Sequence, residues 1–473
     1  MQHICILGAG PVGSSLGVML RRMGCAVDIF ERYPDIRTVP PPAGRSINLV
    51  LTKRGLRLAE ELGVATRLLE KTVRVSGRTM HSVDGKMVYQ PYGRSDECNY
   101  SIDRSLLNKF WLSEAEKSGC KLYFGHRATD LDVSAGLIRM LDLNGAETVV
   151  YLGKYSAVFA SDGGGSIIRT TLMKSGLLSA TETLLPTCYK EVVFPALPDG
   201  GYSMDPNSLH IWARQTHMLM ALANTDGSFT GTIYLDHEAD DHPSFESVCS
   251  SPQKALDYFE AYFPDALELM DREITANNFI TFKEGILGTV RCSPWAVEVN
   301  STPICLIGDA AHAIVPFFGQ GVNCGMEDVL VLSETLRGSC ATDLKAKIFR
   351  FSESRKIDSD AIADLALDNF EEMRSRVADP EFIMLKKLDA FIMDLFPSKY
   401  RTRYTLVMYS SNPYSVCQSF GEVQRRFLQQ VAHRFSISQE NCDFACIDKN
   451  QLDAMLEEFI SPVARSLGVS FSF

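Results

Sequence analysis

The residues best able to do chemistry stand in three short groups spread along the chain. The first, Gly8-Ala9-Gly10-Pro11-Val12-Gly13, has the spacing G-x-G-x-x-G between an apolar, β-rich run (His3–Leu7) and a segment of helical spacing (Pro11–Met23). Gly8 permits a tight turn, Gly10 lets the backbone approach a pyrophosphate, and Gly13 lets the helix close on the strand. The helix N-terminus then offers free N–H groups and a partial positive charge to phosphate. Glu31 follows the next strand-like run, Ala26–Phe30, 23 residues beyond Gly8. A carboxylate there accepts hydrogen bonds from a ribose 2′-hydroxyl and disfavours a 2′-phosphate, which fits NAD or FAD. The second group is Ala160-Ser161-Asp162-Gly163-Gly164-Gly165-Ser166-Ile167-Ile168-Arg169, after an apolar strand. The third is Gly308-Asp309-Ala310-Ala311-His312, followed by Pro316-Phe317-Phe318-Gly319-Gln320-Gly321-Val322-Asn323. An Asp ending a strand can bond a ribityl hydroxyl. A helix starting near Gly321–Asn323 would aim its N-terminal dipole at a flavin ring edge that gains negative charge on reduction. Singly, the second and third groups read equally well as strand-end turns. In order along one chain, the three point to a flavin dinucleotide.

Other reactive residues fit blander roles. The stretch from Asp236 to His242 carries two His and four acids, yet reads as a solvated acidic loop because no partner ligand spacing accompanies it. His312 reads as packing near the third group rather than as a base. Cys442 and Cys446 give only a weak redox signal. No metal site is expected.

The elements that must position these groups follow from pattern and composition. Thirteen cysteines in 473 residues, with no C-x-x-C pair, suggest reduced thiols. The net charge of -11 argues against non-specific nucleic-acid binding. No uncharged apolar run spans a bilayer, and the strand-like start is read as leaving no signal peptide. The expected localisation is therefore cytoplasmic and soluble. Residues 71–97 and about 185–236 alternate apolar and polar as in an antiparallel sheet, with a hairpin signal at Asn224–Gly227. Ser101–Ser118 reads as a helix, 155–161 and 303–307 as buried strands, and the chain beyond about 327 as mostly helical. The expected fold is α/β: a Rossmann-like FAD-binding domain (1–70, 98–175 and 295–330), an inserted antiparallel-sheet substrate domain (71–97 and 176–294), and a C-terminal helical cap (331–473).

The three groups resemble those of the single-component, class A flavin monooxygenases. Within them, Gly44-Arg45-Ser46-Ile47-Asn48-Leu49, Gln90-Pro91-Tyr92-Gly93, His210-Ile211-Trp212, Gly227-Ser228-Phe229-Thr230, the Gly308–Asn323 stretch and Asn369-Phe370-Glu371-Glu372-Met373-Arg374 are similar to the kynurenine 3-monooxygenase family, from residue 2 to about 415. The resemblance implies a tightly bound, non-covalent FAD, with NADPH as transient reductant, O2 as co-substrate and L-kynurenine as substrate, in tryptophan degradation. It implies cofactor contacts at Gly8, Gly10, Val12, Gly13, Glu31, Arg32, Val50, Arg104, Ala128, Ile167, Asp309, Val322 and Asn323. For the substrate it implies Arg78 as carboxylate receiver, Tyr92, Asn369 and Tyr404 as hydrogen-bonding partners, and Leu209, Met218, Leu222, Tyr234, Phe317 and Met373 around the ring. No side chain is expected to act as nucleophile, because a flavin C4a-hydroperoxide carries the reaction. The partners implied are small molecules, not nucleic acid or a membrane span, and a homodimer is compatible.

The chain departs from the family pattern at Ala213, Cys324, Ser161 and Tyr234. The Tyr234 phenol adds a hydrogen-bonding group, which keeps a substituted kynurenine or another anthranilate-like acid open as an alternative substrate. Eukaryotic relatives carry a C-terminal membrane-anchoring stretch. Here residues 430–473 are interrupted by charges, and peripheral attachment to an intracellular membrane is the alternative localisation.

Overall fold

The computed structural model of the chain describes residues 2–39, 47–338, 343–375, 379–439, 441 and 443–471, apart from the side chains of 373–375. Gly44, Arg45, Ser46 and Cys442 lie outside the described residues, as does the Met373 side chain. Among the described residues, no helix is long and apolar enough to cross a membrane.

Six strands form the sheet that carries the glycine motif. Their order is Ala296–Val299, Thr302–Leu306, Ala157–Ala160, His3–Leu7, Ala26–Glu31 and Lys121–Phe124. All pairings are parallel except the first, between the two outermost strands at the Ala296 edge. Parallel strands are covered on both faces, so they read as unbroken apolar runs. Ile4 to Leu7, Ala157 to Ala160 and Ile304 to Leu306 are buried accordingly. Helix Pro11–Arg22 packs against helices Arg104–Lys117 and Gly321–Leu336. Pro11 opens the first of these helices, and Gly10 supplies no side-chain cap, so the first-turn N–H groups stay available.

The helix expected over Ser101–Ser118 starts later, at Arg104. Asn99–Asp103 is instead the central strand of a small sheet, between Asn48–Leu51 and Val73–Val75. The Asp103 carboxylate accepts from Leu106 N–H at 2.8 Å and caps the helix. Tertiary pairing thus took three residues that local spacing assigned to the helix. For the same reason Val73–Val75 leaves the alternating segment 71–97 and joins this small sheet.

A second large sheet has seven strands: Gly285–Ser293, Ser179–Phe194, Phe229–Asp236, His217–Ala223, Ser208–Arg214, Gly77–His81 and Met87–Pro91. The hairpin at Asn224–Gly227 is present; Asn224 N–H donates to Ser228 carbonyl at 2.8 Å, and Gly227 takes φ +90°. Only Ser208–Arg214 and Gly77–His81 pair in parallel. Strand alternation sends Arg78, Leu209 and Ile211 to one face and Thr79, His81, His210 and Trp212 to the other. Helices Phe245–Val248, Pro252–Tyr262, Pro264–Leu267 and Arg272–Thr281 cover that second face, with Phe245, Phe259, Phe263 and Phe279 buried against Trp212 and Phe194. The alternation in 185–236 gave no sign of this helical layer. Beyond Gly321, long helices (Leu344–Ser375, Pro380–Leu395, Tyr414–Arg434) build a separate apolar core.

Close packing at the glycine motif is measurable. A Cβ on Gly13 would stand 2.0 Å from Gly8 carbonyl oxygen and 2.4 Å from Ser161 Oγ. Gly13→Ala is therefore expected to destabilise the protein by about 1–3 kcal/mol through overpacking. Urea denaturation followed by circular dichroism measures this, and an unchanged midpoint would contradict the packing account.

Candidate active site

A cavity of about 560 Å³ opens where three parallel strands end. Gly10, Pro11 and Val12 follow the first of them, Ser161 and Gly163 the second, and Asp309 the third, and all six line it. Crevices at the C-terminal ends of parallel strands are the usual ligand position in such sheets. The seven-stranded sheet forms a second wall through Arg78, Leu209, Ile211, Met220, Leu222, Thr230, Thr232 and Tyr234. Phe317, Phe318, Asn369, Met393 and Tyr404 close it from the helical side.

At the dinucleotide end, the glycines act by three different means. Gly8 has φ +98°, a left-handed conformation that favours glycine. A Cβ on Gly10 would meet nothing within 4 Å, so open space lies above its backbone. Gly13 carries the close approach described above. Glu31 Oε2 accepts from Ala9 N–H at 2.8 Å and Oε1 from Tyr33 N–H at 3.0 Å, which fixes the carboxylate beside the loop. Ser161, a departure from the family pattern, donates to the carbonyls of Leu7 and Gly8 at 3.0 and 2.9 Å and ties the second group to the first. Asp162 Oδ2 accepts from Ile167 N–H at 3.0 Å, whereas its Oδ1 is buried with no protein partner. Burial pushes the Asp162 carboxyl up. Arg104 and Asp309 line the cavity and are exposed. Open space over Gly10, an unmatched buried carboxylate oxygen and the uncapped N-termini of the helices opened by Pro11 and Gly321 fit a dinucleotide carrying phosphates and hydroxyls.

Not every expected cofactor residue reaches the cavity. Val50, Val322, Asp309, Arg104, Gly10 and Val12 line it; Gly8, Gly13, Glu31, Arg32, Ala128, Ile167 and Asn323 do not. The Arg32 guanidinium sits 4.9 Å from the Tyr33 ring centroid. Ala128 and Ile167 pack against the main core. The Asn323 side chain is a brace: it accepts from Thr52 N–H at 2.9 Å and donates to the carbonyls of Val50 and Gly319 at 2.7 and 2.8 Å.

At the other end, polar and aromatic groups converge. Arg78 and Gln90 are cross-strand partners, and Arg78 Nε donates to Gln90 Oε1 at 2.9 Å. That bond orients the guanidinium of a residue that lines the cavity. Tyr92 stacks on Tyr404 with centroids 5.5 Å apart, and Tyr404 on Phe318 at 5.8 Å. Burial pushes the phenols of Tyr92, Tyr404 and Tyr234 up, so all three are neutral O–H groups near pH 7. Asn369 Nδ2 donates to Phe317 carbonyl at 2.7 Å. Tyr234, Phe317 and Phe370 form a row, with spacings of 5.2 and 4.4 Å. Met218, opposite Tyr234 in the ladder, shares its face of the sheet and packs beside it in the helical-side core without lining the cavity. Gln90, Thr230, Thr232, Lys386 and Asp389 are lining residues the sequence reading missed. Gln90 was findable from hairpin spacing opposite Arg78. Lys386 and Asp389 sit on a helix distant in sequence and left no local signal.

A buried charge network stands behind the loop bearing Asp309. Asp328 Oδ2 meets His312 Nε2 at 2.6 Å and accepts from Gly308 N–H at 3.2 Å; its Oδ1 accepts from Arg355 Nε at 2.7 Å. Glu327 bridges Arg355 and Arg54, both at 2.8 Å. Arg54 Nε donates to Val407 carbonyl at 2.9 Å, and its guanidinium lies 3.9 Å from the Tyr414 ring centroid. Against burial, Asp328 holds the His312 imidazole well above its usual range. Against burial too, Arg54 and His312 lead the cations that hold Glu327 and Asp328 below theirs. His312 therefore does more than pack: it is a charged partner of Asp328. His312, Cys324 and Asp328 cluster closely, but the imidazole turns different nitrogens to Asp328 and Cys324. One ion cannot use both nitrogens of a ring, so the cluster is an ion pair rather than a metal site. His237 is exposed and pairs with Glu284 at 2.7 Å, whereas half-buried His242 pairs with exposed Asp241 at 2.6 Å and with buried Asp236 at 3.1 Å, so the first acid of the stretch belongs to the sheet rather than to a solvated loop.

Comparison with known proteins agrees with this geometry. The family described as FAD binding domain matches residues 1–344. The chain is 38% identical over 432 residues to a protein named kynurenine 3-monooxygenase from Myxococcus xanthus, covering 91% of this chain and 90% of that one. It is 35% identical over 430 residues to another of that name from Flavobacterium psychrophilum, covering 91% and 93%. Among solved structures, a tetrameric 2-methyl-3-hydroxypyridine-5-carboxylic acid oxygenase has a TM-score of 0.63 at 16% identity, over 81% of this chain and 95% of that one. Klebsiella pneumoniae HpxO complexed with FAD and uric acid has a TM-score of 0.60 at 17% identity, over 81% and 90%. At such identities these two structures share the fold.

The charge network has a pH signature. The depressed carboxylates Glu327 and Asp328 contribute stability above their unfolded values, about 4, and that contribution is lost as pH falls through the depressed folded values. The raised His312 contributes fully below its unfolded value of about 6.5, and loses this as pH rises through its folded value. Both contributions are complete between about pH 5 and 6. Asp328→Asn is expected to cost about 3–5 kcal/mol there, as for a broken buried pair, and to flatten both limbs. Denaturation of the purified protein across pH tests this; an unaltered pH profile in the variant would refute it.

Proposed function

The chain belongs to the kynurenine 3-monooxygenase family of FAD-binding-domain proteins, and from that premise we propose that it hydroxylates L-kynurenine to 3-hydroxy-L-kynurenine with NADPH and O2. The observation that carries the reading is the polarity gradient of one cavity, from an oriented guanidinium and neutral phenols to an aromatic slot beside the dinucleotide loops. Bound FAD supplies the oxygen-activating chemistry at that site. Gly10, Val12, Val50, Arg104, Asp309 and Val322 would contact it directly. Gly8, Gly13, Glu31, Arg32, Ala128, Ile167 and Asn323 would shape its surroundings.

The protein's contribution is placement and exclusion of water. Arg78 receives the substrate carboxylate, since a planar fork can hold both oxygens. Tyr92 and Tyr404 donate to the same group as neutral phenols, and Asn369 holds the Phe317 loop against them. Leu209, Leu222, Tyr234 and Phe317 enclose the anthraniloyl ring, and Met218 supports Tyr234 from beside it on the same sheet face. With the carboxylate fixed at one end, ring length decides which carbon faces the cofactor. The carbon ortho to the aniline nitrogen is electron-rich and is the one oxidised.

Arg78→Met is expected to weaken L-kynurenine binding by about 2–4 kcal/mol, as for a lost charge-assisted pair, while flavin content stays constant. Titration of the flavin absorbance with L-kynurenine measures it, and an unchanged Kd would remove Arg78 from the carboxylate site. A panel of ring-substituted kynurenines with mass analysis of products tests the substrate itself.

A further inference from the structure

We propose that His81 and His210, together carrying one positive charge, and Asp265 form an ion-pair clamp behind the cavity wall that positions the strand bearing Arg78. The inference deepens the reading of Arg78 as carboxylate receiver and rests on it. Arg78 lies on Gly77–His81, which is held to the rest of the sheet by one short parallel register: Gly77 opposite Ser208, Arg78 opposite Leu209, Thr79 opposite His210, Met80 opposite Ile211. Its other neighbour, Met87–Pro91, is an exposed edge strand. Fixing Arg78 therefore depends on what grips the strand from behind.

The grip is a line of three contacts. His210 Nε2 faces Asp205 carbonyl oxygen at 2.9 Å, His210 Nδ1 faces His81 Nε2 at 2.9 Å, and His81 Nδ1 faces Asp265 Oδ2 at 3.2 Å. Both ends are acceptors. Each contact needs one proton, so the two rings together must carry three. With only two, either lone pairs would oppose each other between the rings or an end acceptor would face a bare nitrogen. Two imidazoles holding three protons carry one positive charge, and Asp265 balances it. Asp265 is ionised: despite partial burial, His81 and Trp212 hold its carboxyl below the usual range. Burial pulls the His210 imidazole down, and Asp265 faces the His81 end of the line.

The surroundings lock this line in place. Trp212 Nε1 donates to the same Asp265 oxygen at 2.7 Å, and its ring stacks on His81 with centroids 4.0 Å apart. Thr79 and Ser208 hydroxyls meet at 2.7 Å on the same face. Arg214, the other cation here, donates to His81 carbonyl at 3.0 Å and to Tyr262 carbonyl at 2.7 Å. Asp265 belongs to the helix Pro264–Leu267, so the clamp joins the Arg78 strand to the helical layer behind the sheet. The motif His210-Ile211-Trp212 thereby gains a physical reason: His210 and Trp212 build the clamp while Ile211 between them lines the cavity. His81, His210 and Asp265 act as positioning residues.

Two measurements decide it. Nitrogen-15 NMR of the histidine-labelled holoenzyme should count three protonated nitrogens on the His81 and His210 rings at neutral pH, and two in Asp265→Asn; two in the native protein would overturn the proposal, and this count holds even if a variant fails to fold. Asp265→Asn and His81→Gln should raise the Kd for L-kynurenine on the order of tenfold, the scale expected of a misplaced binding group, with kcat at saturation within about twofold and flavin content unchanged. If Arg78→Met weakens binding and neither clamp variant does, the clamp fails and the carboxylate reading stands. If Arg78→Met itself leaves binding unchanged, the carboxylate reading fails, and the proton count then judges the clamp separately.

Discussion

The constraint on which the site depends is the neutralisation of charge inside helix Gly321–Leu336. Glu327 and Asp328 are adjacent and buried, a placement that is costly unless each carboxylate is paired and hydrogen-bonded. Their partners come from three distant places: Arg54 near the first strands, His312 from the loop after Asp309, and Arg355 from the long helix that follows. Satisfying two carboxylates therefore fixes three segments around one helix. The N-terminus of that helix faces the cavity, and Gly308, whose N–H donates to Asp328, begins the loop that lines it. Arg54 extends the tie to Val407 and Tyr414, so the C-terminal helices are anchored to the dinucleotide end.

The second organising feature is strand alternation in the seven-stranded sheet. One face presents Arg78, Leu209 and Ile211 to the cavity; the other presents His81, His210 and Trp212 to the helical layer. A cavity wall and its support are thus one peptide bond apart. This economy constrains substitution, because a one-residue register slip would exchange the two faces. The aromatic side of the site is built differently. Phe317 and Phe318 arrive on a short turn, and Tyr404 on a helix far along the chain; ring contacts with Tyr92, Tyr234 and Phe370 hold them together. The polar end is framed by hydrogen bonds along strands and the apolar end by packing between helices, which matches a substrate charged at one end and aromatic at the other.

The amino-acid sequence alone determined the dinucleotide end, because its requirements are local. A tight turn, an approachable backbone and a close helix–strand contact each demand glycine at a fixed offset, and Gly8, Gly10 and Gly13 meet them within six residues. The parallel strands and the Asn224–Gly227 hairpin were legible for the same reason, since periodicity and turn chemistry are short-range. Tertiary structure alone decided the rest. Asn99–Asp103 became a strand because two partners bordered it. The layer over Phe245–Thr281 formed because the sheet's second face had to be buried. Ser161, Asn323 and Asp328 acquired their partners across gaps of tens to hundreds of residues. Charge pairing and ring packing depend on distance in space, and a linear pattern carries no record of which buried acid will meet which buried base.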